Sequence, residues 1–211
     1  MTRICLVRHG ETDWNAGKRI QGQIDIPLSA LGHAQARAAG NALKDEGFAA
    51  IYTSDLTRAR QTAEATAHLA PHSAQVPVQP DPGFRERHYG VFQGLTYTEC
   101  EARHPAAYAC HKSRDPRFAP EGGESLLDFA GRLSQAFDAL VRRHAGETVA
   151  IFTHGGVLDI AYRQAAGQSL IAPRDFAIPN CGINWIEVEA GCWTLLSWAE
   201  RAHLDRPLDE L

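Results

Sequence analysis

Four short runs that read as strands, Ile4-Cys5-Leu6-Val7, Ala50-Ile51-Tyr52-Thr53, Val76 to Gln79 and Thr148 to Thr153, alternate along the chain with segments of helical apolar spacing. That alternation predicts an α/β layer fold with a largely parallel sheet, because parallel neighbours need a crossover long enough to hold a helix. From Ser29, a plain N-cap residue, to Glu46 the chain is rich in alanine, with Leu31, Ala34, Ala38 and Ala42 on one face and Gly47 as the stop. A second helix is expected from Leu56 to about Ala70, closed by Pro71. The clearest periodicity is Leu126, Ala130, Leu133, Phe137 and Leu140, between Ser125 as N-cap and Gly146. Gly156 to Ala166 reads as a short helix, and Ile183 to Val188 with Trp193 to Trp198 as two strands around Ala190-Gly191. At 211 residues the chain has length for one sizeable core but not for two, so a single domain over residues 1–211 is expected. Between Asp81 and Glu124 the pattern loosens under Pro82, Pro105, Pro116, Pro120 and Gly122-Gly123, an excursion of the kind that forms a lid or substrate wall.

With 21 Lys plus Arg against 25 Asp plus Glu, the formal net charge is −4, which argues against a nucleic-acid partner. An anionic ligand must therefore be met locally. No stretch approaches the apolar length of a membrane span, and the first apolar run is broken at Arg8, unlike a secretory signal. The five scattered cysteines, Cys5, Cys100, Cys110, Cys181 and Cys192, form no C-x-x-C pair. They suit free thiols in a reducing compartment, and a cytoplasmic location is the expectation.

Reactive groups gather where strands end, which is where open α/β sheets bind ligands. Arg8-His9-Gly10-Glu11-Thr12 leaves the first strand with a cation, an imidazole and a glycine that allows a sharp turn. Ser54-Asp55-Leu56-Thr57-Arg58-Ala59-Arg60 follows the second strand, and Thr153-His154-Gly155-Gly156 the late one. Two histidines and two arginines without an acidic triad partner make a poor relay for acyl transfer but a good cradle for a tetrahedral dianion. Phosphoryl transfer is the indicated chemistry.

The stretch Leu6-Val7-Arg8-His9-Gly10-Glu11-Thr12-Asp13-Trp14-Asn15 resembles the motif of the histidine phosphatase superfamily, also called phosphoglycerate-mutase-like. The likeness continues through Gln21-Gly22, Pro27-Leu28-Ser29, Ser54 to Ala63, Arg85-Glu86, Gly123-Glu124-Ser125 and Thr153-His154-Gly155-Gly156 in family order. It implies a three-layer α/β/α sandwich with a mostly parallel central sheet. It also implies that His9 attacks phosphorus, that Arg8, Arg58 and His154 hold the transferring oxygens, and that Glu86 is the general acid. Asn15, Gly155, Gln21, Gly22 and Arg60 are the further phosphate or substrate contacts it implies.

Within that family the acceptor decides the activity: water makes a phosphatase, a bound phospho-alcohol a mutase. Gly94-Leu95 is followed here by Thr96-Tyr97 rather than Asn-Lys, the excursion before Glu124 is short, and His154-Gly155 is followed by Gly156-Val157 rather than Asn-Ser. These departures resemble the small bacterial broad-specificity phosphatases, with a cofactor-dependent phosphoglycerate mutase as the alternative. No cofactor is expected beyond the 2,3-bisphosphoglycerate that the alternative would need. No metal is expected either: there is no H-E-x-x-H, and Pro71 separates His68 from His72. The expected partner is a small phosphorylated metabolite, with the chain a monomer or homodimer and neither nucleic acid nor membrane involved. The excursion offers Tyr89, Phe92, Tyr97, Tyr108 and Phe118 beside Arg85, Arg87, His88, Arg103, Lys112 and Arg114, and the sequence leaves open which of these face a pocket.

Overall fold

A computed structural model describes residues 1–69 and 76–204. Its frame is a six-stranded sheet. Strand β1 (Thr2–Arg8) pairs in parallel with β4 (Thr148–Thr153), β4 with β2 (Ala50–Thr53), and β2 with the short edge strand β3 (Val78–Pro80). On its other side β1 meets β5 (Ile183–Glu189) antiparallel, and β6 (Cys192–Glu200) folds back on β5, giving the order β3-β2-β4-β1-β5-β6. The two-residue turn between them is Ala190-Gly191, with φ of 50° and 82°, the conformation that matches the twist of a tight hairpin.

Alternation along β1 divides the interior in two. Ile4 and Leu6 point to one face, where they meet Leu126, Phe129, Leu133 and Phe137 of α6 (Leu126–Arg143) and Val157 and Leu158 of α7 (Gly155–Ala166). Cys5 and Val7 point to the other, against Leu43 of α2 (Ala30–Leu43) and Ala63 and Ala67 of α3 (Thr57–Leu69). Helices thus cover both faces, completing the three-layer α/β/α sandwich. Because both faces are covered, β1 and β4 read as unbroken apolar runs rather than as alternating ones.

Several elements depart from the sequence expectation. The third strand begins at Val78 and ends on Pro80, a residue tolerated there because β3 is an edge. Pro71 and His72 lie outside the described residues. Helix α2 buries Gly32, Gln35, Ala36, Ala39, Gly40 and Leu43, whereas Leu31, Ala34 and Ala42 are exposed. The expected face is therefore wrong by one position. Alanine stands on both sides of this helix, so its spacing carries no phase, and the buried side is chosen by close approach. A Cβ on Gly32 would run into the Glu11 carbonyl, and one on Gly10 into the carbonyl of Gly32. The helix stops at Leu43, ahead of Gly47.

The stretch after Asp81 holds two single 3₁₀ turns and two short helices, α4 (Tyr97–Arg103) and α5 (Pro105–Lys112). These enclose a small core of their own, with Phe92, Cys100 and Tyr108 packed on Ile20. It is tied to the segment after the one-turn helix α1 (Asp13–Ala16) by Ile20 N–H to Leu95 O at 2.9 Å, Gly94 N–H to Ile20 O at 2.8 Å and an Arg19–Glu99 ion pair at 2.9 Å.

The contact between α2 and the loop after β1 is backbone against backbone, so it cannot relax cheaply. Gly32→Val is expected to destabilise the fold by about 1–3 kcal/mol, read as a lower urea midpoint at unchanged slope.

Candidate active site

Strands β1, β4 and β2 lie side by side and in parallel, with Arg8 opposite Thr153 and Thr53 opposite Phe152. The chain therefore leaves all three at one edge of the sheet, which brings His9, His154 and the start of α3 together. His9 is 3% exposed, and its Nδ1 lies 2.7 Å from the Gly10 carbonyl. A carbonyl only accepts, so Nδ1 carries the proton and Nε2 keeps its lone pair. Burial first, then the charges of Arg58 and Arg8, hold the His9 pKa well below the usual histidine range. The imidazole is neutral, as a nucleophile must be.

The guanidinium groups that depress it are themselves buried. Arg8 donates from Nη1 to Ile178 O at 2.6 Å, and Arg58 from Nη2 to Gly22 O at 2.7 Å and from Nη1 to Ile24 O at 3.0 Å. Thr62 ties the two segments: its hydroxyl accepts from Gly10 N–H at 3.1 Å and donates to Arg58 O at 2.8 Å. The His154 ring stands 5.3 Å from that of His9. It is fully buried, and neither of its nitrogens has a hydrogen-bond partner among the described residues. Burial, then Arg58, His9, Arg8 and Arg132, push its pKa down as well. An unsatisfied buried imidazole is costly, and it marks where a ligand atom belongs.

Asn15 closes a capping box with Thr12 at the start of α1. Its Oδ1 accepts from Thr12 N–H at 3.1 Å and from the Thr12 hydroxyl at 3.0 Å. Asn15, Gln21, Gly22 and Gly155 all line one pocket with His9, Arg8 and Arg58. Gly155 opens α7, so the helix directs its N-terminal N–H groups toward the same space. Glu86 lines the same pocket, nearly buried, with Oε1 accepting from Arg87 N–H at 2.7 Å and Oε2 from Gly156 N–H at 2.9 Å. Arg60 does not join them. It is half exposed and pairs with Glu64 at 3.6 Å, because residues two apart on a helix point to nearly opposite sides.

The pocket measures about 510 Å³. Its outer wall is the excursion: Tyr89, Tyr97, Tyr108 and Phe118 face it together with Arg87, Lys112 and Arg114. The other groups of that stretch are occupied elsewhere, Phe92 in the small core, Arg85 with Asp55 and Arg103 with Glu99. His111 also lines the pocket, its pKa lowered to about 4 by burial and by Arg87 and Arg114. Arg19, Asp159 and Arg174 also line it, without any local motif to mark them. Arg114 is aimed by Asp159 at 2.9 Å, and Asp159 is gripped from behind by the buried Arg163 at 3.0 Å. In a chain of net charge −4, seven Arg and Lys side chains meet three carboxylates here. Among the described residues no three His, Cys, Asp or Glu side chains come together as a metal site, and no helix is long and apolar enough to cross a membrane.

The profile of the "Histidine phosphatase superfamily (branch 1)" matches residues 4–201. The "Metal-independent phosphoserine phosphatase" of Arabidopsis thaliana is 38% identical over 208 residues, 97% of this chain and 84% of that protein. "Phosphoglycerate mutase-like protein 4" of the same plant is 36% identical over 205 residues, 96% of this chain and 86% of its own length. Among solved structures, a phosphoserine phosphatase from Entamoeba histolytica in complex with 3-phosphoglyceric acid superposes with a TM-score of 0.84 at 27% identity, over 97% of this chain and 100% of the other. With the cradle, the sheet order and these likenesses in agreement, the chain belongs to the histidine phosphatase superfamily.

Proposed function

We propose that this phosphatase hydrolyses small phosphorylated acids through a phosphohistidine on His9. The observation that carries the reading is the state of that ring: Nδ1 fixed on Gly10 O, Nε2 free to attack, and the imidazole kept neutral between two buried arginines. In the first step Nε2 forms a bond to phosphorus as the ester P–O bond breaks, and Glu86 gives its proton to the departing alkoxide. Arg8, Arg58, His154 and the start of α7 hold the three equatorial oxygens, where the negative charge of the loose transition state is spread. In the second step Glu86 takes a proton from water, the water oxygen bonds to phosphorus, and the P–N bond breaks to return neutral His9 and inorganic phosphate. The buried guanidinium groups supply the positive charge that a metal ion supplies in other phosphatases.

Hydrolysis rather than transfer is supported by the resemblance to a metal-independent phosphoserine phosphatase and by the short excursion between Glu86 and Glu124. An acidic leaving group is supported by the cation surplus of the pocket. A phosphoryl dianion balances about two positive charges, and Arg87, Lys112, Arg114 and Arg174 line the pocket in addition to Arg8 and Arg58. The test is phosphate release with a chelator present, from phosphoserine and 3-phosphoglycerate beside uncharged alkyl phosphates. Release without bisphosphoglycerate-dependent isomerisation is expected, with kcat/KM at least tenfold higher for the acids. Isomerisation that outpaces release would make the chain a compact mutase.

His9→Ala should lower kcat by at least about a thousandfold and abolish acid-labile ³²P labelling of the protein. Activity within tenfold of wild type overturns the phosphohistidine scheme. The same neutrality has a signature in stability. His9, His154 and His111 all have folded pKa values below the usual 6.5, so the unfolded chain takes up protons first as pH falls. Stability is full above pH 6.5 and is lost as the pH falls below it, because the unfolded chain's histidines take up protons that the buried rings resist. Urea midpoints at pH 7.5, 6 and 5 should fall accordingly, and a flat profile contradicts the burial of neutral rings.

A further inference from the structure

The acid Glu86 rides on backbone with no helix or strand of its own, just past the 3₁₀ turn Pro82–Phe84. Such a segment must satisfy its carbonyls through side chains. One side chain does most of this. Arg132, in the second turn of α6, donates from Nη1 to Gly83 O at 2.9 Å and to Arg85 O at 3.1 Å, and from Nη2 to Glu86 O at 3.3 Å. Its remaining donors form a fork on Glu124, Nε to Oε1 and Nη2 to Oε2, each at 3.0 Å. Glu124 in turn holds the far side of the acid: its Oε2 accepts from His88 N–H at 2.8 Å, its N–H donates to His88 O at 2.8 Å, and its carbonyl accepts from Arg87 Nε at 2.9 Å. The guanidinium lies 5.1 Å over the ring of the buried Phe129, which fixes its plane.

We infer that Arg132, with Glu124, is the positioning residue that sets the carboxyl of Glu86 against the phosphoryl site, an inference that rests on Glu86 being the general acid. Arg132 does not line the pocket; its charge reaches His154, but its hydrogen bonds go to the Glu86 loop and to Glu124. The geometry gives it a counterpart in front. Gly156 N–H donates to Glu86 Oε2 at 2.9 Å, and a Cβ on Gly156 would strike Glu86 Oε1 and come within 3.2 Å of Phe129. The acid is thus held between a rigid helix behind and a bare helix start ahead, which locates it more closely than a loop could by itself.

A residue that positions the acid should matter most where the acid matters. Arg132→Met keeps the stem over Phe129 and removes the fork. It should lower kcat on phosphoserine about 10–100-fold with KM within about threefold, and lower kcat on p-nitrophenyl phosphate, whose leaving group needs little protonation, less than about fivefold. In a Glu86→Gln background the same substitution should cost less than about twofold more. Equal losses on the two esters, or an undiminished loss in the Glu86→Gln background, would overturn the inference. If Arg132→Met fails to fold, Arg132→Lys serves: it keeps the charge but loses the fork, and should show a smaller loss with the same leaving-group dependence. A Lys variant at the wild-type rate on phosphoserine also overturns it. Glu86→Gln losing equally on both esters would sink the acid assignment and this inference together. A leaving-group-dependent Glu86→Gln beside an Arg132→Met that is not leaves the acid in place and removes Arg132 from its support.

Discussion

A neutral imidazole wedged between two buried guanidinium groups is the arrangement on which the rest of the molecule depends. Arg8 and Arg58 are each about 1% exposed, and backbone carbonyls at Ile178, Gly22 and Ile24 accept hydrogen bonds from them. Carbonyl dipoles solvate the cations without neutralising them, so the positive field stays available to a phosphoryl group. That field and burial together keep His9 and His154 uncharged. The fold can sustain such a cluster because it lies at the ends of β1, β2 and β4, with apolar cores packed on both faces of the sheet below.

Around this centre the pocket has two ends built differently. The inner end comes from loops fixed to the sheet and from the start of α7, where backbone groups and buried side chains leave little freedom. The outer end comes from α4, α5 and the loops flanking them, which carry a core of their own and reach the body through Ile20 and the Arg19–Glu99 pair. Chemistry that is common to phosphate esters suits the first end, and discrimination between leaving groups suits the second.

Glu86 joins the two ends, and its placement shows how glycine enters the design. Gly10 and Gly32 allow α2 to touch the loop behind His9, while Gly156 leaves room for the Glu86 carboxyl at the first turn of α7. In each case a missing Cβ lets two backbones, or a backbone and a charge, approach where any other residue would hold them apart.

The strands, the long helix α6 and the gathering of His9, Arg58 and His154 at one edge of the sheet were legible in the sequence, because each is written locally. Apolar runs specify β1, β2 and β4, Ser125 and the spacing from Leu126 specify α6, and the residues after three strand ends specify His9, Arg58 and His154. What the sequence leaves undecided is whatever depends on an element's rotation or on a distant partner. Arg58 and Arg60 read alike in the chain, yet the turn of α3 buries one and exposes the other. Alanine on both sides of α2 hides its inward face until Gly10 and Gly32 meet. The excursion names aromatic and basic residues without saying which face inward, and Arg174, Asp159 and the brace of Arg132 on the Glu86 loop join residues far apart in sequence. Local chemistry determined what this protein can do; close packing between remote segments determined which of the candidate groups do it, because only there do volume and hydrogen-bond partners select one side chain over its neighbour.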